Sequence, residues 1–167
     1  FWAIKNFTAT VNKGECFGII GRNAAGKSTL VKVIARVLDP TEGRIITRGH
    51  ISPMLGLGAG FHPELTGIEN IFLNASVLGH SRQEIEERVD AIVQFSELGE
   101  FINIPLRNYS NGMRARLGFA VATEWQPDIL VLDEVLQVGD QAFKEKCQDR
   151  MLSFIHEGST TVLVSHS

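Results

Sequence analysis

The fold of this 167-residue chain is decided by the stretch Gly21-Arg22-Asn23-Ala24-Ala25-Gly26-Lys27-Ser28. The stretch fits the pattern G-x-x-x-x-G-K-[ST] at every fixed position. Its glycines let the backbone curl so that successive N–H groups point at phosphate oxygens, and a following helix adds the positive end of its dipole. A simple glycine-rich turn is disfavoured, because an apolar run precedes the stretch and a helical pattern follows it. The predicted phosphate-binding residues are Gly21, Asn23, Gly26, Lys27, Ser28 and Thr29.

An acidic pair supplies the second half of the predicted site. Asp133 and Glu134 directly follow a purely apolar run, and the end of a buried parallel strand lies on the ligand-binding edge of its sheet. We expect Asp133 and the Ser28 hydroxyl to hold Mg²⁺, and Lys27 to reach the β- and γ-phosphates and support catalysis. Glu134 is the predicted general base that polarises the attacking water. Two merely exposed acids at a strand end are the alternative, which the upstream loop disfavours.

Strands and helices alternate on both sides of the loop, which favours an α/β fold with a central, mostly parallel sheet. The predicted strands are Cys16 to Ile20, which we expect to be buried, Arg44 to Thr47, Ile129 to Leu132, which we expect to be central, and Thr160 to Val164. The predicted helices are Lys27 to Leu38, Ile68 to Leu78, Arg82 to Leu98, Asn111 to Trp125, and a last one capped by Asp140 that runs to Glu157. The side chains predicted to face inward are Leu30, Val31, Ile34, Val37 and Leu38 on the first helix, Ile85, Val89, Ile92 and Val93 on the third, and Phe143, Cys147, Met151 and Phe154 on the last.

The middle of the chain predicts an inserted helical subdomain at about residues 61–115, beside the sheet and within one domain of residues 1–167. A glycine-rich, flexible loop precedes it. Ser81 and Glu84 form a capping box that starts one of its helices.

Composition excludes several other classes of protein. The chain is 44% apolar and 21% charged with a net charge of −3, so nothing global favours nucleic-acid binding. Cys16 and Cys147 have no metal-ligand spacing and are expected to be reduced thiols. No apolar run reaches the roughly 18 residues that span a bilayer, so we expect any membrane role to require a partner. The chain has no initiator Met and stops after an apolar strand, from which we expect a fragment truncated at both ends.

The segment Tyr109-Ser110-Asn111-Gly112-Met113 gives the site its family. With the loop upstream and the acidic pair downstream, it resembles the signature L-S-G-G-Q of the ABC ATPases, with Tyr109, Asn111 and Met113 substituted. Ser110 and Gly112 keep a hydroxyl and a backbone N–H at a helix N-terminus, which together favour an anion. By this resemblance they face the γ-phosphate bound by a second copy of the chain. Ser110 as a simple helix cap is the alternative.

The same resemblance assigns three further residues. His166, after the last strand, is similar to the switch histidine that contacts the γ-phosphate and supports the catalytic water. Asp140 matches an aspartate that crosses the dimer interface, a role compatible with capping its helix. Trp2 resembles the aromatic residue that stacks on adenine, with Phe1 as the alternative stacking residue and core packing as the alternative role.

Three longer stretches are similar to one branch of the family, the ATPases that export O-antigen, capsule or teichoic-acid polysaccharides. They are residues 58–67, 109–117 and 133–140. The resemblance implies an ATP- and Mg²⁺-dependent ATPase whose two copies pair head to tail under two integral membrane permease subunits. It also implies peripheral attachment at the cytoplasmic face of the membrane. A soluble ABC-type ATPase without a permease, or export of another substrate, remains an alternative.

Two departures from the family pattern bear on function. The glutamine of the family's Q-loop is absent, since no Gln occurs between Gly21 and Arg82, so residues 57–62 must replace it or coupling to the permease differs. Ala24 stands where the family usually has Gly. If that position requires a positive φ, Ala costs on the order of 1 kcal/mol and weakens nucleotide binding without abolishing it.

Overall fold

A computed structural model describes residues 2–22, 24–54, 56–133 and 139–165. The chain divides into two compact units. The sheet unit comprises Phe1–Leu55, Gln126–Val135 and Asp149–Ser167, and the helical unit comprises Gly56–Trp125 and Leu136–Gln148.

The secondary structure alternates strands and helices, as the sequence predicted. The strands are β1 (Cys16–Ile20), β2 (Ile51–Met54), β3 (Ile129–Asp133) and β4 (Thr160–Ser165). The helices are α1 (Lys27–Ile34), α2 (Gly67–Val77), α3 (Arg82–Ser96), α4 (Asn111–Ala122) and α5 (Gln141–His156), with short 3₁₀ turns at Gly99–Asn103 and Leu106–Asn108. Within the described residues, no helix is both long and apolar enough to cross a membrane.

The four strands form a parallel sheet in the order β1-β4-β3-β2. β3 is internal, as predicted, and Leu130 and Val131 are fully buried. The burial predicted for β1 is wrong, because β1 is an edge strand of the described sheet and Ile20 is 73% exposed. The sheet core joins α1 to β3 and β4 through the buried residues Val31, Val131, Val162 and Val164.

The strand predicted at Arg44 to Thr47 is not formed. The chain instead joins the sheet at β2, where His50 donates its N–H to the Asp128 carboxylate at 2.7 Å and accepts from the Ile129 N–H at 3.0 Å. Ile46 is 70% exposed, and its neighbour Ile45 is half-buried without pairing to a strand. Sequence pattern alone cannot distinguish such a pair from a short strand.

The first helix is shorter than predicted, ending at Ile34 instead of Leu38. Arg36 adopts the left-handed conformation, with a φ of 58°. Its N–H donates to the Val33 carbonyl and the Val37 N–H to the Lys32 carbonyl, which is the Schellman arrangement that closes a helix. Val37 and Leu38 are therefore exposed, contrary to the prediction. An arginine rarely takes the position that glycine favours, which is why the sequence did not signal this end.

The helical unit is built on capped helices around an aromatic core. The predicted capping box of Ser81 and Glu84 starts α3, and a second box, of Thr66 and Glu69, starts α2. Residues 66–69 carry the pattern T-x-x-E that signals this second box, which is not among the sequence predictions above. The predicted inner face of α5 is confirmed, since all four of its predicted residues are buried. On α3, Ile85 and Ile92 are fully buried, whereas Val89 and Val93 are half-buried.

Candidate nucleotide-binding site

The loop between β1 and α1 has the backbone of a phosphate cradle. Ala24 has a φ of 64° and Gly26 a φ of 90°. Position 24 therefore requires the positive φ considered above, and the alanine side chain costs about 1 kcal/mol in this conformation. A Cβ on Gly26 would lie 2.5 Å from the Ala3 carbonyl oxygen, so only glycine fits there.

The Lys27 side chain folds back onto this loop and binds its backbone. This side chain is buried, and its ammonium donates to the Gly21 carbonyl at 2.7 Å and to the Arg22 carbonyl at 3.2 Å. A lysine held over the loop in this way places its positive charge where the loop amides would gather phosphate oxygens.

The N-terminus of α1 differs from those of the other helices. Its N-cap residue is Gly26, and no side chain caps it. In contrast, Thr66, Ser81 and Ser110 each cap their helices, and Asp140 accepts the Phe143 N–H of α5 at 3.0 Å. Among the five α-helices formed by the described residues, α1 alone therefore begins at an N-cap residue that has no side chain to cap it. Such a terminus favours an anionic ligand.

The sheet brings the second half of the predicted site to the same edge as this loop. In the strand register, Asp133 of β3 lies beside Val164 of β4, which lies beside Ile19 of β1. Neighbouring strands are about 4.8 Å apart, so the backbones of Asp133 and Ile19 are about 10 Å apart at the ends that point toward the loop. Five predicted features lie outside the described residues: Phe1, Asn23, Glu134, His166 and the carboxylate of Asp133.

The remaining predicted contacts of the sheet unit occupy the surface around the loop. Ser28 is an exposed residue in the first turn of α1, and Thr29 is half-buried beside it. Trp2 is 49% exposed, next to the Ala3 carbonyl that borders Gly26. Its stacking on adenine stays a prediction.

Ser110 and Gly112 lie in the helical unit, at the start of α4. The Ser110 hydroxyl accepts the Met113 N–H at 3.2 Å, so Ser110 caps α4, the role given as the alternative, and its contact with a γ-phosphate stays a prediction. Both residues border an open cleft of about 570 Å³. The cleft is lined by Glu97, Leu98, Phe101, Ser110, Gly112, Met113, Arg116, Gly139 and Asp140.

Arg116 is a residue of this cleft that the sequence did not single out. Its guanidinium pairs with Asp140 at 2.7 Å and with Glu97 at 3.0 Å, and it lies 4.6 Å from the centre of the Phe143 ring. Lys146 also binds Glu97, at 2.9 Å. The hydrogen bond from Lys146 and the nearby charges of Lys146 and Arg116 lower the pKa of the Glu97 carboxyl. The spacing of these residues in the sequence does not predict the ion pairs of Arg116, because these pairs depend on how α4 and α5 pack.

A parallel sheet with this loop between an end strand and the first helix defines a P-loop nucleotide-binding protein. The family model for ABC transporters matches residues 4–137, and the chain belongs to this family. The structure is similar to a dimeric post-hydrolysis state of the ATP-binding cassette MJ0796 bound to ADP and Pi, with a TM-score of 0.77 and 26% identity. That alignment covers 99% of this chain and 80% of the other. The fold and family make this chain an ABC-type ATPase domain.

Two curated relatives are similar over the whole chain. An O-antigen export system ATP-binding protein, RfbB of Klebsiella pneumoniae, is 52% identical over 167 residues, which are 68% of its own length. A teichoic acids export ATP-binding protein, TagH of Enterococcus faecalis, is 47% identical, and the chain spans 37% of that protein. These relatives are ATP-binding subunits of polysaccharide export systems.

Proposed function

We propose that this chain is the ATP-hydrolysing part of a transporter that exports a polysaccharide across the cytoplasmic membrane. The observation that carries the ATPase is the start of α1, where a glycine-rich loop, a buried Lys27 and a helix terminus without a side-chain cap coincide. The choice of a polysaccharide is supported by the names of the O-antigen and teichoic-acid relatives. Other export substrates and a soluble ATPase are the outcomes that would replace it.

In this proposal, each element of the sheet unit has one task toward the nucleotide. The loop amides and the Lys27 ammonium bind the phosphates, and Trp2 stacks on the base. Ser28 and Asp133 would hold Mg²⁺, since a hydroxyl and a carboxylate are oxygen ligands of the kind this hard cation prefers. When bound, Mg²⁺ neutralises charge on the phosphate oxygens. Glu134 as general base and His166 as γ-phosphate contact complete the site as predictions from the sequence.

The other half of the site is proposed to come from a second copy. Ser110 and Gly112 present a helix N-terminus at an open cleft, and such a terminus stabilises negative charge on a phosphate. The two copies would pair head to tail, so that the Ser110 of each faces the nucleotide held by the Lys27 loop of the other.

Mixed dimers test this shared site directly. As dimers of one kind, full-length Lys27→Ala chains are expected to be inactive, and Ser110→Ala chains to retain about a tenth or less of the wild-type turnover. Mixing them creates dimers in which one site keeps both an intact loop and an intact Ser110. Random pairing should restore about a quarter of the wild-type turnover of ATP, since half the dimers are mixed and each has one good site. No recovery, with mixed dimers verified by two affinity tags, would overturn the shared site.

ATP hydrolysis itself needs a separate control. The wild-type protein should hydrolyse ATP far faster than the Glu134→Gln variant, because the variant lacks the proposed general base. Equal rates would instead indicate a nucleotide-binding module without turnover.

Coupling to export is tested in the membrane. We propose that integral permease subunits bind this chain at the cytoplasmic face, with residues 57–62 in place of the missing Q-loop glutamine. Tagged full-length protein should co-purify with a membrane permease, and Lys27→Ala should abolish the surface polysaccharide of the source cell. Purification without any membrane partner would favour the soluble ABC-type ATPase.

A further inference from the structure

Tyr109 stands immediately before Ser110, at the position where the family signature has leucine. Its side chain is only 5% exposed, and its hydroxyl donates to the Phe101 carbonyl at 2.6 Å. Its backbone N–H donates to the Leu106 carbonyl at 3.0 Å. Burial raises the pKa of the Tyr109 phenol to about 12, so the group remains a donor at any physiological pH. The backbone and the side-chain hydroxyl of Tyr109 are therefore both fixed by hydrogen bonds, immediately before Ser110.

Gly67 provides the space that Tyr109 occupies. A Cβ at Gly67 would lie 2.4 Å from the Tyr109 hydroxyl oxygen and 2.7 Å from a methyl group of Ile102. Gly67 is the first residue of α2 and has an ordinary helical position, so the reason for glycine here is room and not backbone conformation. The phenol and the bare backbone form one close contact.

The backbone around these two residues is also joined. Leu106 donates its N–H to the Leu65 carbonyl at 2.9 Å, and Arg107 donates to the Pro63 carbonyl at 2.8 Å. An isolated bridge pairs Thr66 with Pro105. Residues 63–67 and 105–109 thus form one interlocked element, which we term the clamp, and it ends at Ser110.

We infer that Tyr109, seated against Gly67, is a positioning residue that sets where Ser110 meets the nucleotide of the second copy. The inference rests on the proposed function, because it requires that Ser110 acts on a nucleotide held by another chain. It explains two features of the sequence that have no role in the proposed ATP hydrolysis: the stretch 58–67 and the tyrosine in the signature. In the chain the clamp precedes Ser110 and α4 follows it, so the serine lies between two fixed segments.

The test uses the direction of the defect within a mixed dimer. In both arrangements one full-length copy carries Lys27→Ala, so only the loop of the other copy can hydrolyse ATP. In the first arrangement Tyr109→Phe is on the Lys27→Ala copy, and the working loop faces the altered clamp. In the second it is on the other copy, and the working loop faces an intact clamp.

Tyr109→Phe removes one hydroxyl and keeps the ring, so the chain should fold. We expect kcat to fall about tenfold in the first arrangement, because small misplacements of a group that contacts the reacting phosphate are costly, and to stay within about twofold in the second. Gly67→Ala, which crowds the same phenol from the other side, should reproduce this asymmetry. Thr123→Val is the matched control, since it removes another buried hydroxyl bond to a carbonyl, at the far end of α4, and should give no asymmetry.

The outcomes separate this inference from the proposal on which it depends. Equal rates in the two arrangements, whether both high or both low, would show that Tyr109 has only a structural role. If Lys27→Ala and Ser110→Ala chains fail to complement each other, the shared site and the role of Tyr109 are both overturned. Complementation without asymmetry overturns the role of Tyr109 alone.

Discussion

Two helix N-termini of this molecule, those of α1 and α4, are both proposed to bind phosphate, yet they are built in opposite ways. The α1 terminus has no side-chain cap and follows a loop with two residues at positive φ. The α4 terminus is capped by Ser110 and preceded by the buried Tyr109. The first has no side-chain cap, and a terminus of this kind favours an anionic ligand. In the second, the Ser110 hydroxyl already binds the Met113 N–H, and we propose that this terminus meets a phosphate only when a second copy brings a nucleotide to it.

The largest expected effect comes from removing Lys27 at the N-terminus of α1. Lys27→Ala should weaken ATP binding by on the order of 100-fold and abolish hydrolysis, because the loop loses its charge-assisted donor. Equilibrium titration with a fluorescent ATP analogue measures the affinity. Lys32→Ala is the control, since Lys32 is an exposed lysine on the same helix. A comparable loss in both variants would remove Lys27 from the site.

Removing the cap of α4 should affect both the stability of the protein and its turnover of ATP, whereas removing the cap of α3 should affect stability alone. Ser110→Ala and Ser81→Ala each delete an N-cap hydroxyl that accepts the N–H three residues later, so each should lower the free energy of unfolding by about 1 kcal/mol. Only Ser110→Ala should also lower kcat, by about 10-fold or more, while ATP binding at the Lys27 loop remains unchanged. Urea unfolding and steady-state kinetics measure the two quantities. Equal kcat values would leave Ser110 as a cap alone.

A smaller effect sharpens the comparison at the loop. Ala24→Gly should tighten ATP binding by about threefold, because glycine adopts the observed positive φ without steric cost. The neighbouring Ala25 is not among the positive-φ residues, so Ala25→Gly should loosen binding slightly through the added freedom of the chain. Tighter binding in both variants would mean that flexibility, and not the strain at Ala24, limits affinity.

The smallest effect concerns the carboxylate at the cleft beside α4. The pKa of Glu97 is lowered in the folded chain, so its stabilisation is present above the ordinary carboxyl pKa and is lost as pH falls through the lowered value. The wild type should unfold at higher urea than Glu97→Gln at pH 7, and this difference should shrink below about pH 4. Glu97 is half exposed, so the effect is modest. A difference that does not depend on pH would contradict the ion pairs.

Much of the fold was predictable because its signals are local. β1 was predicted with its exact bounds, and β3 as an internal strand, from short apolar runs. The start of α3 followed from one capping box. The errors came where distant parts of the chain decide the outcome. Arg44 to Thr47 looks like a strand, but the place beside β3 is taken by Ile51–Met54.

The candidate site divides along the same line. By itself, the sequence determined the phosphate-binding loop, the acidic pair and the signature segment, because each is a short run whose residue types and spacing carry the chemistry. Only the tertiary structure decided that Arg116 binds Asp140 and that Tyr109 sits against Gly67. Those contacts join residues far apart in the chain. They depend on side-chain packing between helices, which periodicity and spacing do not encode.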